Sequence, residues 1–249
     1  MISFEEYEKM VEKSLSDGIE PTSKHKVTIE ELRKMIANKD SNIADVDVSE
    51  ITDMRELFQD SDFGGSWTAD ISGWDTSKVE DMSSMFGGCS KLKEVKLSHT
   101  ENVVDMYAMF WGCEELKEVV LPHTEKVEDM GTMFRRCTSI KEVSLPNTES
   151  VSNMNMMFED CSNITKVDLP HTENVASMYA MFRGCTSIKE VKLSNTEKVD
   201  NMRDMFAGCK ELQQDFSSWD ISKVNYTANM FKGCTKMTNP AFYPKGYEA

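Results

Sequence analysis

The sequence predicts an α/β repeat, a solenoid of short parallel strands and short helical turns with a helical cap at its N-terminal end. Three observations predict it. The pair Met85-Phe86 recurs as Met109-Phe110, Met133-Phe134, Met157-Phe158, Met181-Phe182 and Met205-Phe206, each 24 residues after the last, and as Met230-Phe231 after 25. All seven cysteines, Cys89, Cys113, Cys137, Cys161, Cys185, Cys209 and Cys234, keep the same step. Between them the apolar residues keep a fixed phase, so each block is one supersecondary unit that buries its apolar face only on its neighbours.

The aligned copies read V-x-D-M-x-x-M-F-x-x-C-x-x-L/I-x-x-V-x-L-S/P-H/N-T-E. In Leu92-x-x-Val95-x-Leu97, and again in Leu116/Val119/Leu121, Ile140/Val143/Leu145, Ile164/Val167/Leu169 and Ile188/Val191/Leu193, the spacing fits the strand of a leucine-rich repeat. Met82, Met85, Phe86 and Cys89 fall at i, i+3, i+4 and i+7, which is one face of a short helix or helical turn packed on the strands. Rungs about 4.8 Å apart would then share backbone hydrogen bonds and line each apolar position into a column.

The M-F-x-x-C turn followed by L-x-x-V-x-L resembles the BspA-like leucine-rich-repeat surface proteins. So do the flanking phrases Asp70-Ile-Ser-Gly-Trp-Asp-Thr-Ser-Lys-Val79 and Asp215-Phe-Ser-Ser-Trp-Asp-Ile-Ser-Lys-Val224. The resemblance spans about residues 43 to 237. It implies a leucine-rich-repeat-type solenoid and a role in binding or adhesion, often at a microbial cell surface, with no common catalytic activity.

Taken in order, the chain divides into an N-terminal helical segment and cap over residues 1–40, a solenoid of about eight repeats of 24–28 residues over 41–240, and a tail over 241–249. Phe4, Tyr7, Met10, Val11 and Leu15 lie at helical spacing with acids opposite, and this stretch lacks the basic start, apolar core and cleavage site of a secretory signal. No run of 18 apolar residues exists for a membrane span, so a cytoplasmic location is expected as written, with the cell surface open if an export signal was removed. Thr28-x-x-Glu31 is a capping box that starts a helix with Ile29, Leu32, Met35 and Ile36 on one stripe. That helix covers the open edge of the first rung or, in the rival reading, binds a partner. The first rung, Ile43-x-x-Val46-x-Val48 with Met54, Leu57 and Phe58, carries Ser61 in place of cysteine. Residues 61–74 then break the period with an insertion holding Gly64, Gly65, Trp67 and Trp74. Trp67 in such a loop is a candidate contact, whereas Trp74, matched by Trp219 near the other end, is expected in the core. Pro240 and Pro244 stop strand pairing at the C-terminal end.

Candidate chemistry is sparse. Disulfides are disfavoured by the odd cysteine count and equivalent environments, and a step of 24 is not a zinc-ligand spacing, so the cysteines are expected as buried free thiols. Fourteen of the nineteen methionines fall at the two repeat positions, in phase with the core. Glu101, Glu125, Glu149, Glu173 and Glu197 form one like-charge column, and Asp81, Asp105 and Asp129 begin another that lapses to Asn153, Ser177 and Asn201. Calcium chelation by these columns is the weaker reading and a solvated edge the stronger, because no G-G-x-G-x-D turn accompanies them. His99, His123 and His171 share a position with Asn147 and Asn195, which suits turn hydrogen bonding and not acid–base work. No nucleophile–base pair, Walker loop or dinucleotide fingerprint is present, so neither catalysis nor a cofactor is expected.

The outward strand positions remain: Glu94 and Lys96, Glu118 and Val120, Glu142 and Ser144, Lys166 and Asp168, Glu190 and Lys192. They vary from rung to rung while the framework does not, and the extended face of a solenoid is its usual recognition surface. With Trp67 they form the candidate partner-binding set, against the alternative that they only keep the sheet soluble. The expected function is a non-enzymatic scaffold that binds a protein partner, with a structural or adhesive cell-surface module as the alternative. The formal charge of −15 speaks against nucleic acid, which needs clustered Lys and Arg.

Overall fold

The computed structural model describes residues 24–247, stacked as a right-through column of rungs with parallel pairing at every recorded joint. Strand β1 (His25–Lys26) pairs in parallel with β2 (Val46–Asp47), and helix α1 (Ile29–Ala37) lies between them in the chain. The regular rungs contribute β3 (Glu94–Lys96), β4 (Glu118–Val120), β5 (Glu142–Ser144), β6 (Lys166–Leu169) and β7 (Glu190–Leu193). Each partner lies 24 residues on, as in Val95 opposite Val119 and Val167 opposite Val191. The ladder is hydrogen-bonded as β3-β4 and as β5-β6-β7, and Val119 and Val143, at the joint between these two sheets, are only partly buried.

The turn side closes the core. Phe58, Phe86, Phe110, Phe134, Phe158, Phe182, Phe206 and Phe231 stack face to face with centroids 5.2–5.7 Å apart and planes within 13° of parallel. Met82 and Met85, and their counterparts in the later rungs, are fully buried beside this column. Such offset aromatic pairs add about 0.5–1.5 kcal/mol each to the burial of their rings.

The spacing of Met82, Met85, Phe86 and Cys89 is that of a helix face, yet the backbone here is a pair of chained tight turns. Met85 N–H donates to the Met82 carbonyl at 3.1 Å and Cys89 N–H to the Phe86 carbonyl at 3.0 Å, each an i to i+3 closure. The alternate N–H groups, of Met82, Ser84, Phe86 and Gly88, leave the rung and donate to the carbonyls of Asp105, Tyr107, Met109 and Trp111 at 2.6–2.9 Å. A helix would have spent these donors within one segment. The turns need a left-handed residue at the third position, and Ser84, Ala108, Thr132, Met156, Ala180 and Asp204 all have φ between 50° and 62°. The second turn places Gly88, Gly112, Gly184 and Gly208 in that region, where glycine alone is free of strain.

Both ends are covered. Thr28 accepts from Glu31 N–H and the Glu31 carboxylate accepts from Thr28 N–H, completing the capping box, while Leu32 and Ile36 enter the core. The edge of β2 itself is covered by β1, with Val27 N–H reaching the Asp47 carbonyl at 3.1 Å. At the other end the chain stays packed on the stack past residue 240: Tyr243 and Tyr247 set their rings edge-on to Phe231, and Tyr243 donates to the Met237 carbonyl at 2.7 Å. The expected helix through Phe4 and Leu15 lies outside the described residues.

The cysteines do more than fill space. Each Sγ donates to the carbonyl of a phenylalanine on the preceding rung, as from Cys137 to Phe110 at 3.1 Å and from Cys185 to Phe158 at 3.0 Å. Burial pushes the Cys89 thiol up to about 11 and holds those of Cys137 and Cys185 well above their ordinary value. All seven are free and buried, so a native sample titrated with a thiol-reactive disulfide dye is expected to release no colour until denaturant is added, and then seven equivalents. Phe134→Ala, at the centre of the ring column, is expected to lower stability by about 3–5 kcal/mol in urea titrations.

Candidate functional site

The sheet face is positioned by the alternation of the strands. In β3 the burial runs exposed, buried, exposed for Glu94, Val95 and Lys96, because Val95 packs inward on the core. The parallel register then lines the outward residues into two files. One runs Glu94 beside Glu118, then Glu142 beside Lys166 beside Glu190; the other runs Lys96 beside Val120, then Ser144 beside Asp168 beside Lys192. Glu94, Lys96, Glu118, Val120, Glu142, Ser144 and Lys192 are exposed, and Lys166, Asp168 and Glu190 partly buried. Val120, 41% exposed, is one of the few large apolar residues that face outward.

The charges on this face are not paired off along the whole stack. Lys192 and Glu190 approach to 3.3 Å and Lys96 and Glu94 to 3.8 Å, both within one strand. Glu94 and Glu118 sit directly opposite as like charges, and Glu142 continues their file on the next rung. Like charges opposite one another on adjacent strands oppose sheet formation by a few tenths of a kcal/mol or more.

Trp67 does not belong with these residues, contrary to the exposed loop position expected from its glycine-rich surroundings. It is 7% exposed and sets its ring against Phe63 at 5.1 Å and Phe58 at 6.1 Å, so the insertion folds its aromatic groups back over the stack. Trp74 is buried as expected and donates Nε1–H to the Ile43 carbonyl at 2.8 Å.

The aspartate column on the turn side has a local task. Oδ1 of Asp81, Asp105 and Asp129 accepts from the N–H two residues on, at 2.7–2.8 Å, and Asn153 and Asn201 do the same at 3.0 Å. An amide oxygen serves this turn as well as a carboxylate does, which is why Asn replaces Asp in later rungs. Arg55 lies 2.6 Å from Asp53 and 3.3 Å from Asp81, and Asn153 Nδ2 donates to both oxygens of Asp129. Asp105 stands between them, and among the described residues no cation lies within ion-pair distance of it. Burial raises its carboxyl above the ordinary value, and Asp81 and Asp129 on either side add to the rise.

Three further groups were not foreseen from the sequence. The buried Thr100, Thr124, Thr148 and Thr172 donate Oγ1–H to the carbonyls of His123, Asn147, His171 and Asn195 on the next rung. The invariant threonine of each block was the available signal. Glu159, 3% exposed, takes the position after Phe158 and meets Arg135 at 2.7 Å and Arg183 at 3.5 Å, from the same position one rung either side. Gln214 closes the sheet at its C-terminal edge: its Oε1 accepts from Val191 N–H and its Nε2 donates to the Val191 carbonyl, both at 2.8 Å.

The sequence matches a family described as Mycoplasma protein of unknown function, DUF285, over residues 27–142, 105–190 and 162–243. Among solved structures the chain is similar to a leucine-rich repeat protein of T. pallidum, at 22% identity and a TM-score of 0.48 over 68% of this chain and 75% of that one. It is similar also to a leucine-rich repeat protein of Eubacterium ventriosum, at 13% identity and a TM-score of 0.41 over 81% of this chain and 66% of that one. No curated protein matches the sequence. Among the described residues no helix is long and apolar enough to cross a membrane.

A raised carboxyl is neutral in the fold over a range where the unfolded chain is ionised, so the stability it favours is present at low pH and lost as pH rises through its folded value. Asp105→Asn is therefore expected to raise stability by about 0.5 kcal/mol at neutral pH. The gain should vanish in urea titrations run below the ordinary carboxyl range.

Proposed function

Since the chain belongs to the DUF285 family, a repeat family of BspA-like leucine-rich-repeat type, we propose that it is a non-enzymatic scaffold that binds a protein partner through the exposed face of its sheet. The observation that carries this reading is the file Glu94, Glu118, Glu142. The fold places three carboxylates on successive rungs of a face that has no structural need for them, with Glu94 and Glu118 directly in register. A surface kept only for solubility would alternate its signs, as Glu142, Lys166 and Glu190 do.

The partner that fits is a protein surface with basic residues at rung spacing, seated over Val120. Charge complementarity of this kind sets orientation and association rate, and an exposed aliphatic group at its centre supplies desolvation. The fold also argues for a scaffold over a catalyst: its thiols are sealed in the core, and three of its four histidines sit on the edge beside glutamates, His99 3.7 Å from Glu101, His123 3.7 Å from Glu125 and His171 3.7 Å from Glu173.

The test is affinity capture from the native host with the wild-type chain and with Glu118→Lys/Glu142→Lys. The double variant is expected to lose the captured partner while its melting temperature stays within a degree or two, since both side chains are exposed. Undiminished capture would refute this placement of the binding surface.

A further inference from the structure

We propose that the N-terminal edge of the regular sheet takes an extended peptide as an added parallel strand, in which a basic, an apolar, an acidic and an apolar residue follow in that order. This rests on reading the sheet as the recognition surface, and it names the occupant of one end of that surface.

The chain contains the same edge twice, once filled and once open. Glu94-Val95-Lys96-Leu97 and Glu190-Val191-Lys192-Leu193 are identical in sequence. On the N-terminal side of the second copy lies β6, with Lys166 opposite Glu190, Val167 opposite Val191, Asp168 opposite Lys192 and Leu169 opposite Leu193. Each charge meets its opposite, and the two apolar residues meet their like. Val191 turns its own N–H and carbonyl the other way, to Gln214, so in a parallel ladder the main-chain groups of Glu190 and Lys192 are those that face β6.

The first copy has the same phase. Leu97 N–H donates to the Val120 carbonyl at 3.3 Å on the C-terminal side, which leaves the N–H and carbonyl of Glu94 and Lys96 facing the N-terminal side. Strand β3 pairs with β4 alone, and among the described residues no backbone hydrogen bond joins it to Thr68–Ser72 on the preceding rung. Between these two segments lies a cleft of about 700 Å³, with Phe63, Ile71 and Val95 in its walls. A four-residue strand, about 13 Å long and 4.8 Å wide in a layer about 10 Å deep, occupies roughly 600 Å³.

The insertion at residues 61–74 creates this opening. Gly64, at φ +88°, lies so close to the start of β3 that a Cβ on it would stand 2.6 Å from Leu92 Cα. The chain beyond it runs on as the opposite wall and adds no strand. The C-terminal edge is sealed by Gln214 and the β2 edge by β1, whereas this edge presents free donors and acceptors above an apolar floor, the arrangement that accepts β-augmentation.

The probe is a fluorescein-labelled hexapeptide, Ile-Thr-Lys-Val-Asp-Leu, which copies residues 164–169, read by anisotropy against the full chain. Its charge-reversed form, Ile-Thr-Asp-Val-Lys-Leu, is the control. Saturable binding of the first, at least about threefold tighter than the second, is expected. Lys96→Pro removes the N–H that faces the cleft and spares the ladder to β4. It is expected to bind at least about fivefold more weakly than Lys96→Gln, which keeps that N–H, at an unchanged melting temperature. If Lys96→Pro does not fold, Ala69→Trp, which fills the cleft, is expected to abolish binding. Absence of binding at millimolar peptide, equal binding by the Pro and Gln variants, or undiminished binding by Ala69→Trp would each overturn the proposal. A chain that captures a protein through Glu118 and Glu142 yet ignores the hexapeptide overturns the added strand and leaves the sheet-face reading standing. Conversely, Glu118→Lys/Glu142→Lys should bind the hexapeptide as the wild type does.

Discussion

The structure depends on one division of labour among backbone donors. Between Met82 and Gly88 every second N–H leaves its own rung for the next, and the donors between them close tight turns within the rung. This alternation forces two left-handed residues into each block, and it places the Phe, Met and Cys side chains at one height so that they stack on their equivalents. A left-handed conformation costs an L residue about 1–2 kcal/mol, and the rung-to-rung bonds and buried aromatic rings offset it. The register survives joints of 28 and 25 residues, where Phe58 N–H still meets the Met85 carbonyl and Phe206 N–H the Met230 carbonyl, because the extra residues fall outside the turns.

The repeated threonines and cysteines of the core are bonded from rung to rung as well. Thr100 Oγ1 reaches forward to His123 on the next rung, and Cys113 Sγ reaches back to Phe86 on the preceding one, at 2.6 Å and 3.1 Å. A buried hydroxyl or thiol that would be costly alone is satisfied only inside the stack. The strand side is bonded more lightly, in two separate sheets, and its outward residues contribute little to holding the rungs together. That asymmetry leaves Glu94, Glu118 and Glu142 free to differ from what stability alone would select, which is the ground on which we propose the sheet as the recognition face.

Much of this was legible in the sequence, because a repeat states its inward positions many times over. The strands at Val95, Val119, Val143, Val167 and Val191, the capping box at Thr28 and the ring column all lie where the spacing puts them. The conformation of the turn half was not legible, since i, i+3, i+4, i+7 places four side chains on one side of a helix and equally of two chained turns. The left-handed residues that distinguish the two include Ser84, Met156 and Ala180, types that give no such signal. Trp67 misled for a different reason: glycines mark a loop but not the direction in which the loop folds, and here Phe63 drew it inward. The ion pairs of Glu159 depend on which residues neighbouring rungs bring to one height, a relation visible only after the rungs are superposed.

The central claim is that the turn ladder, and not the sheet, holds the rungs together. Native-state hydrogen exchange resolved by residue tests it most directly. The amides of Phe110, Phe134, Phe158 and Phe182, which cross between rungs beneath the ring column, should be the last to exchange, opening only with global unfolding, while the hydrogen-bonded strand amides of Glu118 and Glu190 exchange earlier through local opening. Slowest exchange in the strands, with the turn amides released first, would contradict it.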